Sequence, residues 1–440
     1  MRRICLTLPT NRPCAATIAA IGEEAAYAVR QFDVEVHLLI LDSCAAAVFA
    51  EHAEAVRRLP DDPRIVVHHL DEERQRDFLQ RVIVRSGAVK PELLLDLMLP
   101  AALSYGACTN RAFLIGIALG CESVHRRDSD SRYQTVNGEP VFPVRHELAS
   151  LGRRAADVAH DVTENALEQR YAHRRVAMVG ASFVGELSVD IGEILRLDPD
   201  VYHDLVSLWA PLDRSAEEKR QLVEESFRGA GSEAFDRDRS TLALVDPMRV
   251  DMCNISFHGV HERVPLPPAT DTIGSDYFLI HLVHDTALPG VLHNRNIVNY
   301  YTGERRTDSG FTAYQLRYVK FLLSMLYFNF LYDAMARAGA SLLDDHGRVR
   351  APAVARLARE SSRLDRGENV RRLDVLDGAY RKLGGRYAVF ADLLARRRER
   401  LLDEARGDIE DFALLVEAWQ PLVGAARLTP VRHPASGRSA

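Results

Sequence analysis

The chain predicts an α/β protein with a mostly parallel sheet flanked by helices, followed by an α-helical C-terminal domain. Three observations predict it. Short apolar runs alternate with helix-patterned segments through the first part of the 440 residues. Those runs end in polar or proline-bearing loops. From Phe311 onward, apolar residues recur at helical spacing.

In order, Ile4–Leu8 predicts a buried strand ending in Pro9-Thr10-Asn11-Arg12-Pro13, and Ala15–Arg30 predicts a helix. Val36–Leu41 is a strand ending in Asp42-Ser43, Ala45–Arg58 a helix, and Arg64–His69 a strand ending at Asp71. Helices follow over Glu72–Ser86, Pro91–Leu99 and Ala107–Leu119, the last closed by Gly120. Ser123-Val124-His125 then leads through Arg126-Arg127 into Asp128-Ser129-Asp130. Parallel strands share one carboxyl edge, where ligands of such sheets bind. The loops at 10–13, 42–43 and 128–130 therefore converge on one rim.

In the middle, Val176–Val179 and Val250–Phe257 predict strands. Asp190–Leu197, Val201–Leu208 and Ser275–His284 predict helices, and Leu288–Asn299 predicts strand and turn. Thr302–Ser309 is polar and reads as a mobile loop hinged at Gly303. Helices are expected over Ala313–Ala338, Val354–Leu364, Val370–Leu383, Tyr387–Arg406 and Ile409–Leu422. The expected division is an α/β domain over 1–310, a helical domain over 311–428 and a disordered tail over 429–440.

Composition narrows the function. Hydrophobic residues are 47%, charged residues 27% and the formal net charge −6, so no global basic field invites nucleic acid. Six cysteines lack C-x-x-C spacing, which argues for reduced thiols and a cytoplasmic setting. The most apolar segment, Phe321–Leu331, is far short of the roughly 20 residues of a membrane span. Tyr314, Tyr318, Phe321, Tyr327, Phe328, Phe330 and Tyr332 cover more than one helix face. A helix apolar on several faces is buried, here against the α/β domain or a second copy in a homodimer.

Asp128-Ser129-Asp130 is the candidate centre. Carboxylates at i and i+2 on a turn can share one Mg²⁺ or Mn²⁺ ion, which usually also takes substrate phosphate oxygens. Taken alone, D-x-D is also an ordinary solvated turn. Upstream stand Tyr105-Gly106-Ala107-Cys108-Thr109-Asn110-Arg111, an apolar helix, Gly120 and Val124. With the opening strand and its Pro-Thr-Asn-Arg-Pro loop, this order resembles GT-A-fold glycosyltransferases of the large family 2 group. The resemblance covers residues 3–135 well and 170–310 loosely. His125-Arg126-Arg127 replaces that group's apolar run before the carboxylates.

The resemblance implies a nucleoside diphosphate sugar donor, Mn²⁺ or Mg²⁺, and a small-molecule or peptide acceptor. Thr10, Asn11 and Arg12 would meet the nucleotide, and Asp42 the base. Asn110 and Arg111 would line the donor pocket. Asp128 and Asp130 would hold the metal, with His293 as third ligand and Arg127 near carboxylate or phosphate. Arg305 and Arg306 would stabilise the departing diphosphate, and Asp276 would deprotonate the acceptor. Ordinary alternatives stand beside these: Asp42 as a turn residue, Asn110 as a helix cap, His293 as a surface histidine, Arg305 and Arg306 as a solvated loop, and Asp276 as a first-turn carboxylate. Two rival functions remain. One is a non-catalytic module that kept the sheet. The other is a sugar-phosphate nucleotidyltransferase, whose Gly-rich basic N-terminal loop is missing here.

Overall fold

A computed structural model describes residues 1–432, except 187–190, 212, 228, 232–233, 301–302 and 304–306. The strands are β1 Arg2–Thr10, β2 Val34–Asp42, β3 Ile65–Leu70, β4 Ser123–Arg127, β5 Ser131–Tyr133, β6 Thr135–Val136, β7 Glu139–Pro140, β8 Glu164–Asn165, β9 Met178–Gly180, β10 Phe183–Gly185, β11 Ser240–Ala243, β12 Asn254–His258, β13 Gly290–His293 and β14 Ile297–Asn299. The helices of the α/β part are α1 Ala15–Gln31, α2 Ala46–Arg57, α3 Glu72–Ser86, α4 Pro91–Met98, α5 Tyr105–Ala118, α6 Val144–Ser150, α7 Ala155–Val158, α8 Ile191–Leu197, α9 Pro199–Ser207, α10 Ala216–Glu225 and α11 Phe278–Asp285. The C-terminal helices are α12 Asp308–Ala338, α13 Ala351–Ser361, α14 Gly367–Leu383 and α15 Gly385–Ala426.

Nine strands form one sheet in the order β3-β2-β1-β4-β12-β9-β13-β11-β8. The β3, β2, β1 and β4 neighbours are parallel, while β12 lies antiparallel to both β4 and β9. The chain leaves β1 for β2 and β3 on one side, then returns through α3–α5 to place β4 on the other. Strand order reverses at that point, and the loops after β1 and β4 part to leave a crevice. A second sheet, β10-β14-β5, walls the same edge.

Both faces of the parallel strands are covered, so their sequences are nearly continuous apolar runs. Ile4, Leu6, Leu8, Val36, Leu38 and Ile40 pack with α1 and α6. Cys5, Leu39 and Leu41 face the opposite layer, with Phe78 of α3, Met98 of α4 and Phe113 of α5. That second core continues without a break into α11, α12 and α15. Trp419 of α15 is fully buried and donates its indole N–H to the His261 carbonyl at 2.9 Å. The aromatic stripe of α12 is thus covered within the same chain, against α11, α13, α14 and α15.

One expectation changes. The two last helices are one, α15, running through Gly407. A helical glycine costs about 1 kcal/mol relative to alanine, too little to interrupt a helix whose Leu401, Leu402, Ala405, Ile409 and Phe412 are buried. Of the expected disordered tail, residues 433–440 lie outside the described residues and 429–432 are described. Thr429 is buried, and Arg81 of α3 donates to the Pro430 carbonyl at 2.8 Å. Of the expected mobile loop at 302–309, residues 302 and 304–306 lie outside the described residues, and Thr307 caps α12 by accepting from the Gly310 N–H.

Candidate functional site

The crevice between β1 and β4 opens into a cavity of about 460 Å³. Its polar end is built by Thr10, Asn11 and Arg12 after β1 and by Arg126, Asp128 and Asp130 at the end of β4. Asp251, before β12, and Asp276, in the turn before α11, join them. The far end is apolar and lies under α12.

Side chains alternate along β4, and this sorts its charges. Ser123, His125 and Arg127 face α1 and α6, while Val124 and Arg126 face the cavity layer. Arg126 is 3% exposed. Its Nη1 meets Asp276 Oδ2 at 2.5 Å and its Nη2 meets Asp128 Oδ1 at 3.0 Å. Its Nε is buried and has no hydrogen-bond partner among the described residues. Arg12 meets Asp130 Oδ2 at 3.1 Å, and the Tyr277 hydroxyl donates to Asp251 Oδ2 at 2.5 Å. Two guanidiniums therefore stand among four carboxylates. Burial pushes the Asp128 carboxyl up to about 6. Arg126 opposes this, and Asp130, Asp276 and Asp251 add to it. The donor set and its excess of negative charge suit a hard divalent cation.

Thr10 accepts from the Arg12 N–H and donates to the Arg12 carbonyl at 2.9 Å, which folds the β1 loop tightly. Arg111 lines the cavity, held by Gln75 Oε1 at 2.8 Å and the Met98 carbonyl at 2.6 Å. Asp276 is buried in the same cavity.

Four residues expected at the site make other contacts. Arg127 points to the other face, where Glu24 and Glu147 take its guanidinium at 2.8 and 2.9 Å. Asn110 clasps the 265–268 loop, donating to the Leu266 carbonyl and accepting from the Leu266 N–H, both at 2.8 Å. The cap of α5 is Ser104, which accepts from the Ala107 N–H. His293 is buried beneath α6, stacked on His146 at 5.2 Å, and does not line the cavity. Asp42 is 1% exposed and does not line the cavity. Arg305 and Arg306 lie outside the described residues.

Asp42 instead centres a clamp. Its Oδ2 meets His52 Nδ1 at 2.7 Å and His69 Nε2 at 2.8 Å, and its Oδ1 accepts from the Cys44 N–H. Among the described residues, Asp42, His52 and His69 form the group of three compact enough for a metal. Yet His52 Nε2 accepts the Cys14 N–H, so Nδ1 carries the proton and donates to Asp42. With both ring nitrogens used, His52 has no lone pair for an ion. Burial pushes the Asp42 carboxyl up, but the bonds from His69, His52 and Cys44 outweigh it and hold the carboxyl well below the usual range.

Sequence reasoning missed Arg126, Asp251 and Tyr277. Strand alternation was the available signal for Arg126, because it puts Arg126 and Arg127 on opposite faces.

Three comparisons bear on the chain. No curated protein matches it. Among solved structures, the mannosyltransferase PcManGT from Pyrobaculum calidifontis, in complex with GDP-Man and Mn²⁺, aligns over 97% of this chain and 88% of its own at 14% identity and a TM-score of 0.33. So low a score fixes neither family nor activity. The model of a family of unknown function, DUF6271, matches residues 2–435, and the chain belongs to that family.

Proposed function

We propose that the protein is a metal-dependent glycosyltransferase, moving a sugar from a nucleoside diphosphate donor to an acceptor hydroxyl or amine. One observation carries the reading. The Asp128–Asp130 turn and the Arg12 loop flank the point where strand order reverses, and Asp276 faces them across Arg126. Sheets of this kind take phosphate ligands there.

Asp128 and Asp130 would hold Mn²⁺ or Mg²⁺ together with donor phosphate oxygens. Such an ion, when bound, offsets the charge of the departing diphosphate. Arg12, beside Asp130, would bind a donor phosphate oxygen. The unspent Nε–H of Arg126 offers a further donor. Asp276, ion-paired with Arg126, would accept the acceptor proton. The apolar end excludes water, which would otherwise hydrolyse the donor.

Isothermal titration with UDP and GDP, with and without Mn²⁺, tests the reading. Mn²⁺-dependent binding of one nucleotide is expected, with at least a tenfold loss in Asp130→Ala. A folded protein that binds neither nucleotide overturns it.

A further inference from the structure

The far half of the cavity has a chemistry of its own. Phe321, Ser324, Met325, Phe328 and Tyr332 of α12 line it, at i, i+3, i+4, i+7 and i+11, which is one helix face. Trp209 stands edge-on to Phe321 at 5.2 Å and tilts against Phe227 at 5.9 Å. Asn329 of α12 donates to the Trp209 carbonyl at 3.0 Å and fixes that wall. The Ser324 hydroxyl is spent on the Phe321 carbonyl at 2.7 Å. His281 stacks on Tyr332 at 3.8 Å, and burial keeps the imidazole neutral. The α12 face thus presents rings and a thioether but no charge.

This face abuts the proposed base. Gly274 has φ +73°, and a Cβ there would meet the Phe321 ring at 2.9 Å. The bare glycine lets the turn bearing Asp276 press against the aromatic face. A molecule lying on Phe321 therefore ends beside the Asp276 carboxylate.

We propose that this chamber is the acceptor site, and that the acceptor is a compact aromatic or alicyclic alcohol or amine. The proposal rests on the glycosyltransferase reading. A sugar or charged peptide acceptor would leave its polar groups without partners against Phe321, Met325 and Phe328. A ring bearing one nucleophilic group buries its apolar body and turns that group to Asp276. In the transfer, the acceptor oxygen forms a bond to the anomeric carbon of the nucleoside diphosphate sugar. The anomeric carbon–phosphate oxygen bond breaks, the diphosphate leaves with the electron pair, and the acceptor proton passes to Asp276.

The test uses the full chain and 4-methylumbelliferone, an aryl alcohol whose fluorescence reports binding. Two variants are compared: Ser324→Trp, which fills the chamber, and Ser324→Asp, which adds a charge with little bulk. Binding to the unchanged protein is expected, with at least a tenfold loss in both variants and nucleoside diphosphate affinity within twofold of the parent. Nucleotide binding accompanied by no probe binding, or by probe affinity unchanged in both variants, overturns the acceptor assignment. Probe binding lost in the variants, with no nucleotide bound by any form, upholds the chamber's ligand class and overturns the transfer reaction.

Discussion

At the scale of single residues, charge is either sealed or spent, and the difference sets what each position does. Arg127 is sealed. Glu24 and Glu147 neutralise it through all four of their carboxylate oxygens, two of which Tyr133 and His125 share, so it ties β4 to α1 and α6. Arg126, one position earlier, lines the cavity and pairs there with Asp128 and Asp276. Asp42 is sealed too, and its effect is readable in pH. Its folded carboxyl is a stronger acid than that of the unfolded chain, ordinarily near 3.9. Its stabilisation is therefore complete above about pH 4 and lost as pH falls toward the folded value. Asp42→Asn is expected to cost about 2 kcal/mol at pH 7, a deficit that urea titrations should find shrinking as the pH drops below about 4. An equal deficit at pH 7 and pH 3 contradicts the clamp.

At the scale of elements, legibility followed burial and length. β1 and β2 stood out because both faces are covered, which makes their apolar runs continuous. β8 and β11 escaped notice. The first is a two-residue strand, and the second spans four residues of which only Leu242 and Ala243 are apolar. The D-x-D turn and the β1 loop were legible because a short motif carries them. The partners were not, since Asp276 lies 150 positions from Arg126 and only the folded sheet unites them. Helix α5 shows how closely elements meet. A Cβ at Gly106 would lie 1.9 Å from the Pro267 carbonyl oxygen, so only glycine allows α5 its seat under the 265–268 loop. Gly106→Ala must push that backbone away and loosen the Asn110 clasp. Overpacking of this kind costs about 1–3 kcal/mol. Differential scanning calorimetry is expected to show a lowered Tm, and an unchanged Tm would mean the loop yields freely.

At the scale of the whole molecule, the sequence suggests a division at residue 310, and one buried cluster spans that position. Side chains of α3, α5 and α11 share a buried cluster with α12 and α15. A fragment ending at residue 310 would expose that surface. It is expected to bind 1-anilinonaphthalene-8-sulfonate strongly and to lack a cooperative urea transition, whereas sharp two-state unfolding of the fragment would show an independent core.

Helix α12 serves at once as ceiling of the cavity and as a central beam of the C-terminal bundle. A mutation among the bundle's packing residues can tilt that beam and reshape what fits beneath it, though it touches neither the sheet nor its acidic turn. Ligand preference in this architecture can therefore drift from a distance, while the chemistry at the strand ends stays fixed.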